Sequence, residues 1–461
     1  MSKYAWLLTC MPLAIACGDP PAGDSSSQGS AEGPGSFGDA SGPGTESDDR
    51  GSATGPGSGS ADDGTTGEPT ATGPGSGPIF DVGAMPDGGG GGCQQAACGE
   101  SEWSYIWIAN SNEATISKIN TRTLVEEGRY YTRPDQSGNP SRTSVTIDGR
   151  AVAVANRMGG VTKFHALHED CEDANGNGMV DSSTGGAGSM LPFAQEECVA
   201  WHTPFPGATT QRPVAWTSGV YNPATCEYDD QMVWTAAAFG SGGTWPCDGA
   251  DGIYVYRLEG ETGVVLDEVH MPDVTCGSTL GPYGGAVDFN NDLWVYIWSA
   301  GTILHVDYET LAYETLPGGS YGITVDTSGR VWVDSGGRYD PATGTWSYKI
   351  GSLPGSGGSG VAQDQQGRIW TATTGGVGWI DMETMMVGDT VPLPEGAGIY
   401  RGIAVDFDGY IWAVLLGGTT AHKIDPDTYA VETFTGLNSP YTYSDMAGGQ
   451  LTSVTCNPPA G

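Results

Sequence analysis

The sequence predicts an all-β fold, a closed ring of four-stranded antiparallel sheets, and three observations predict it. One phrase occurs four times, as Asp288-Phe-Asn-Asn-Asp-Leu-Trp294, Asp326-Thr-Ser-Gly-Arg-Val-Trp332, Asp364-Gln-Gln-Gly-Arg-Ile-Trp370 and Asp406-Phe-Asp-Gly-Tyr-Ile-Trp412. Its tryptophans are spaced by 38, 38 and 42 residues, the length of one propeller blade. A second echo, Asp-x-x-Thr, follows each Trp at Asp307, Asp340, Asp381 and Asp425, and no long helical periodicity competes with it.

Each copy has a physical reading. An apolar run leads to Asp, whose short side chain accepts from turn amides; Gly or Asn supplies a positive φ, and a strand restarts on Val, Ile or Leu before Trp. The Asp-x-x-Thr echo marks the next turn, and Leu316-Pro317, Leu353-Pro354 and Leu393-Pro394 mark exits. Two turns and an exit make a four-stranded unit with two faces to bury, so the copies must stack on one another. The repeated Asp, Gly and Trp are therefore read as turn formers and packing, not as a catalytic array.

The chain begins with Lys3 and an apolar run from Ala5 to Ala16, too short for a stop-transfer helix and read as a secretory signal over 1–16. Ala14-Ile15-Ala16-Cys17 resembles the bacterial lipoprotein box, which implies lipidation at Cys17 and a membrane contact made only through acyl chains. Residues 17–92 are Gly, Ser, Pro, Thr, Ala and Asp with few large apolar side chains, a composition that predicts a disordered tether. A net charge of −37 argues against nucleic acid or anionic headgroups as partners. Of ten cysteines, eight remain after Cys10 and Cys17, an even set that fits disulfides outside the cytoplasm.

The folded part, 93–461, is read as a seven-bladed β-propeller, with six or eight blades left open by two expanded units. Blade starts fall near Glu102, Asn139, Gln211, Gly281, Ser320, Gly358 and Gly398. The first unit, Glu102 to Tyr131, lacks an innermost strand, which the C-terminal stretch Pro440 to Leu451 supplies, closing the ring and removing an exposed edge. An insertion over 165–205 holds Asp173, Asn175, Asn177, Met179 and Asp181, with Gly178 at loop position 6. Oxygen donors at positions 1, 3, 5 and 9, with the Met179 carbonyl between, suit Ca²⁺. The loop resembles EF-hand and dockerin calcium loops, with Thr184 where their Glu stands and Glu196 or Glu197 as a replacement. Cys171 and Cys198 bracket it as a disulfide staple. Cys456 is assigned to Cys93 or Cys98, and the pairing of Cys226, Cys247 and Cys276 stays open.

On the phrases Asp-x-x-Gly-x-Ile-Trp and Ile-x-x-Ile-Asp-Pro-x-Thr, over most of 102–455, the chain resembles the virginiamycin B (streptogramin B) lyase family of seven-bladed propellers, and more distantly NHL-repeat propellers. The resemblance implies opening of a cyclic depsipeptide by elimination, with a His base, a nearby Glu and magnesium on the top face. Family blades often carry Glu three residues after the Trp; here those positions are Asn110, Ile297, Ser335, Thr373 and Leu415. His305 and His422 lie inside strands and His270 in an outer strand, away from a substrate. His165, His168 and His202 flank the staple beside Glu169 and Asp170, but the first two alternate across a strand and do not form a zinc set.

Tyr283, Tyr321, Tyr400 and Tyr441 stand at inner-strand entrances with Arg142, Arg212 and Arg401, a rim suited to sugar, peptide or carboxylate ligands. The sequence is thus read as a monomeric, lipid-anchored protein of the cell envelope, at the outer membrane or cell surface. It binds a glycan, peptide or protein at the channel mouth without catalysis. The alternative reading is a divergent lyase on the same ring, and a third is a purely structural envelope protein. Fold alone does not choose among them.

Overall fold

A computed structural model describes residues 101–225, 227–239, 251–275, 280–298, 300–355 and 358–456. The signal, Cys17 and the tether lie outside them, as do Cys93, Cys98, Cys226, Cys247 and Cys276. Seven blade sheets follow one another along the chain, with a two-stranded hairpin, Val220–Asn222 and Glu227–Asp229, set between the first two strands of the third. Blade 4 shows the plan: Pro282–Val287, Leu293–Ile297, Thr302–Val306 and Tyr313–Pro317, each strand bonded to the next. The innermost strands of blades 2 to 7 begin at Pro140, Val214, Pro282, Ile323, Val361 and Tyr400, and neighbouring ones pack side by side around a central axis. The seven-bladed propeller expected from the repeat is the observed fold.

The repeated Asp does two jobs at once. In blade 4 its Oδ1 accepts the turn amides of Asn290 and Asp292 at 2.9 and 3.1 Å. Its Oδ2 accepts the indole N–H of Trp294 at 3.0 Å. The same indole bond spans 2.7 Å from Trp332 to Asp326, 2.8 Å from Trp370 to Asp364 and 2.8 Å from Trp412 to Asp406. The six-residue spacing is what lets one carboxylate close the turn and hold the ring. Each Trp is buried, and several face an aromatic ring of the following blade: Trp234 with Tyr308, Trp294 with Tyr339 and Trp370 with Tyr429. These are the contacts that stack one sheet on the next.

The ring closes through the C-terminal segment. Trp107 N–H donates to Met446 O at 2.9 Å and Tyr441 N–H to Ala109 O at 3.1 Å, so this segment flanks the first strand of blade 1, Tyr105–Asn110. On its other side Tyr443 and Ser444 pair in parallel with Arg142 and Thr143 of blade 2. One part of the expectation changes: residues Gly449–Cys456 form a helix, α1, instead of continuing as a strand. Asp445 is the reason. It stands where the other blades keep their turn Asp, but its carboxylate accepts from the amides of Gly448, Gln450 and Leu451 and so caps the helix. The indole N–H of Trp107 is left without a partner. Leu451 and Val454 of α1 are buried against the innermost strands, and Gln450 Nε2 donates to Val287 O at 3.0 Å.

Cys171 and Cys198 are bonded, with Cα atoms 4.6 Å apart, as the staple predicts. Cys456 is also disulfide-bonded, to a partner outside the described residues. The insertion is shorter than expected, because Val199–Thr203 is the outermost strand of blade 2, paired with Val161–His165. No helix among the described residues is long and apolar enough to cross a membrane.

Candidate functional site

The turns that carry the repeated Asp, together with α1, occupy one end of the ring; the inner strands begin at the other. Three of those beginnings are β-bulges, the first of which skips Ser141 between Pro140 and Arg142. Pairing also skips Tyr283 between Pro282 and Gly284, and Arg401 between Tyr400 and Gly402. A bulge re-aims the skipped side chain, and it is Tyr283 and Arg401 that turn toward the axis. Neighbouring residues of a strand point to opposite faces, so Tyr400 cannot accompany Arg401. It is buried instead inside blade 7, donating to Glu395 Oε2 at 2.7 Å with its ring 5.7 Å from His422. Of the seven residues expected at the mouth, six assemble there and Tyr400 does not.

The assembly alternates rings and guanidinium groups. Arg142 lies over Tyr443 at 3.2 Å and near Tyr283 and Tyr441 at 4.9 and 5.4 Å. Arg212 lies 4.7 Å from Tyr283, Arg401 4.8 Å from Tyr321, and Arg157 4.4 Å from Tyr441. Tyr283 donates to Tyr321 at 3.0 Å, and both hydroxyls meet that of Tyr441. Burial pushes the phenols of Tyr283, Tyr321 and Tyr443 up. Burial works the same way on Tyr441, but Arg142, the neighbouring hydroxyls and Arg212 outweigh it and hold that phenol down at about 8.

Above this cluster opens a cavity of about 530 Å³. Arg157, Arg212, Tyr283 and Tyr441 line it with the apolar Leu280 and Leu416; among the described residues no Asp, Glu or His does. A second cavity of about 360 Å³ adjoins Tyr321 and Trp298 and contains Asp334. Asp334 Oδ2 accepts the amide of Ser359 at 3.1 Å, while Oδ1 is buried without a hydrogen bond. Burial pushes its carboxyl up, against the Ser320 hydroxyl, the amides of Ser359 and Tyr321, and Arg401. Arg157, Tyr443 and Asp334 escaped the sequence reading. Tyr443 was legible as the same-face neighbour of Tyr441, two residues on. Arg157 and Asp334 sit in loops after second strands, outside the repeat.

The histidines hold the blades together. His422 is fully buried; Nε2 faces Glu395 Oε2 at 2.6 Å and Nδ1 faces Thr433 Oγ1 at 2.9 Å. Burial would raise the Glu395 carboxyl, but hydrogen bonds from Tyr400 and Thr420 and the nearby His422 hold it at about 2. His305 stacks on Trp294 at 4.1 Å and bonds Asp292, and His270 stacks on Tyr254 at 4.3 Å. His202 bonds Thr162, and burial lowers its imidazole to about 4. Of these imidazoles only that of His422 is fully buried, and its two nitrogens are taken up by Glu395 and Thr433. Among the described residues the one His, Cys, Asp and Glu cluster tight enough for a metal is Asp288, Asp292 and His305, on the opposite end and already bonded internally.

In the insertion, Asp173 Oδ1 accepts the amides of Gly176 and Asn177, and Oδ2 that of Gly178. Asn175 and Asn177 both donate to Asp181 Oδ2 at 2.8 Å, and Glu197 accepts the amides of Asn175 and Asp181. The loop is wound around the four expected side chains, with Glu197 as the added carboxylate; Glu196 turns away to Ser182, Ser183 and Cys198.

No protein-family model matches the chain, and no curated protein matches it. Solved propellers do. A streptogramin B lyase structure is 20% identical over 44% of this chain, with a TM-score of 0.35, and the chain spans 65% of its length. A catalytically inactive virginiamycin B lyase from Staphylococcus aureus with quinupristin is 14% identical over 72% of this chain and 89% of that one, TM-score 0.44. Apo AztD from Citrobacter koseri is 11% identical over 76% and 99%, TM-score 0.43. The likeness is one of fold.

Proposed function

We propose that this protein is a non-catalytic binding module of the cell envelope, secreted and lipid-anchored at Cys17, that holds a glycan, peptide or protein ligand at the channel mouth. The observation that carries the reading is the mouth cavity, whose described lining holds tyrosine rings and guanidinium groups without acids or imidazoles. Its size falls in the range of small-molecule sites, roughly 300–1,000 Å³. Such walls grip a ligand by ring faces and hydrogen bonds but offer no base to open it. Glycan and peptide arrays are the test. Wild type is expected to bind at least one member, and Tyr441→Ala with Arg157→Ala to lose it. Binding that ignores both substitutions defeats the reading. Opening of a streptogramin B ring in the presence of magnesium, lost in the same variants, replaces it with the lyase.

We also propose that the loop from Asp173 to Asp181 binds Ca²⁺ as a structural ion, supported by the convergence of Asp173, Asn175, Asn177, Asp181 and Glu197. A hard cation of this kind takes six to eight oxygens. Chelator is expected to lower the melting temperature of wild type by several degrees and leave Asp173→Ala/Asp181→Ala unmoved. Equal shifts in both remove the ion.

A further inference from the structure

Two arginines of the mouth, Arg142 and Arg157, form no ion pair with any described residue, and the one carboxylate near the cluster, Asp334, faces Arg401 from the second cavity. Arg142 is fully buried, with Nε and Nη2 lacking hydrogen-bond partners. Arg401 keeps Nε and Nη1 in the same condition. Arg157 is bonded through Nη1 to the neutral Asn139 side chain. Eight other arginines and lysines of the described chain, by contrast, reach a carboxylate: Arg122, Arg129, Arg133, Arg150, Lys163, Arg257, Arg330 and Arg368. The protein carries a net charge of −37, yet no described carboxylate pairs with Arg142 or Arg157.

Magnitudes say that the tyrosines do not complete the site. A cation over a ring gains much less than removing that ion from water costs. The crowding is legible at Arg157, whose guanidinium is pushed down by burial and then by Arg212 and Arg142. A guanidinium keeps its proton in a protein, so burial and two neighbouring cations make this a place where an anion would be stabilised. The depressed Tyr441 phenol reports the same positive potential from the opposite sign of group.

Resting on the binding reading above, we propose that the mouth takes an oxyanion, a carboxylate or a phosphate, carried on a small ring-bearing molecule. Arg157 and its neighbours would meet the oxyanion, since guanidinium matches the planar or tetrahedral oxygens of either group. Met158, Leu280, Leu416 and Pro440, with the rings of Tyr283 and Tyr441, would cover the apolar body.

The test is calorimetric titration of the full chain with benzoate, phenyl phosphate and the neutral benzyl alcohol. At least one anion is expected to bind, about tenfold or more tighter than the alcohol and about tenfold weaker in Arg157→Gln, as for loss of a charged hydrogen bond. Which of the two anions binds separates carboxylate from phosphate. Ultraviolet titration of tyrosinate gives a second readout that needs no arginine variant. The transition near pH 8 that disappears in Tyr441→Phe is expected to move up by about one unit or more when the anion is bound. Alcohol binding as tightly as the anions, or anion binding that leaves the Tyr441 transition in place, overturns the oxyanion while array ligands lost in mouth variants keep the binding reading. Silence from all three probes overturns the oxyanion as well. Array binding indifferent to the mouth defeats the reading beneath it.

Discussion

A chain ending at Leu437 is expected to lose its cooperative thermal transition and to aggregate. The segment removed makes both the Trp107 to Met446 and the Tyr441 to Ala109 hydrogen bonds and the parallel pairing with Arg142 and Thr143. It carries Met446 and Ala447, buried in the cluster that joins blade 7 to blade 1, and Leu451 and Val454, buried in the largest core cluster. Without it blades 1 and 2 each present unpaired backbone where the segment was bonded, the arrangement that invites pairing with another chain. Circular dichroism melting with light scattering measures the outcome. Because the truncation also removes Cys456, a disulfide partner in its own right, full-length Cys456→Ala is the control and is expected to retain a cooperative transition. A truncated chain melting within a few degrees of wild type would show that the ring does not depend on this closure.

Trp412→Ala is expected to cost about 3–5 kcal/mol, the range for emptying a buried aromatic site. The indole is fully buried in the cluster between blade 7 and blade 1 with Ile106, Ile108 and Ile119, so its removal opens the cavity at the seam of the ring. It also takes a hydrogen bond from Asp406. Burial raises the Asp406 carboxyl to about 6, with the indole, the Tyr410 amide and Lys423 holding it down. A raised carboxyl means that the folded chain keeps its proton longer than the unfolded one. Stability therefore falls as pH rises from about 4, the unfolded value, to about 6. With the indole gone this penalty grows, so the variant should lose more on going from acid to neutral pH than wild type does. Trp412→Phe keeps most of the packing and is expected to cost about 1–3 kcal/mol, chiefly from the lost donor. Urea unfolding at both ends of that pH window decides it. A loss below about 1 kcal/mol for Trp412→Ala, within the ordinary range for surface changes, would mean that the seam is held elsewhere.

The fold was legible because its signal is repeated. Asp, Gly and Trp recur at fixed offsets since one carboxylate must meet two turn amides and an indole, and that geometry tolerates little variation. Closure was legible for the same reason, through Asp445, but the helix after it was not. A single deleted residue turned a turn-forming Asp into a helix cap, and no repeat existed against which to read that change. The mouth was legible in part. Tyr283, Tyr321, Tyr441, Arg142, Arg212 and Arg401 were found at strand entrances, whereas Tyr400 was mistaken for the counterpart of Tyr283. The bulges place Arg401 in that role, and a bulge is a property of pairing between strands that one strand's sequence does not display. Arg157 and Asp334 lie in loops of different lengths, where no offset carries over from blade to blade.

Helix α1 gives the ring a floor. Leu451 and Val454 pack into the core of the inner strands, and Gln450 and Thr452 are tied to Val287 and Ile147, so α1 covers this end of the axis. A ligand held at the mouth as proposed would meet the tyrosine and arginine collar at one end of the axis and this helix at the other. A conduit would need that floor to lift; a receptor needs it to stay.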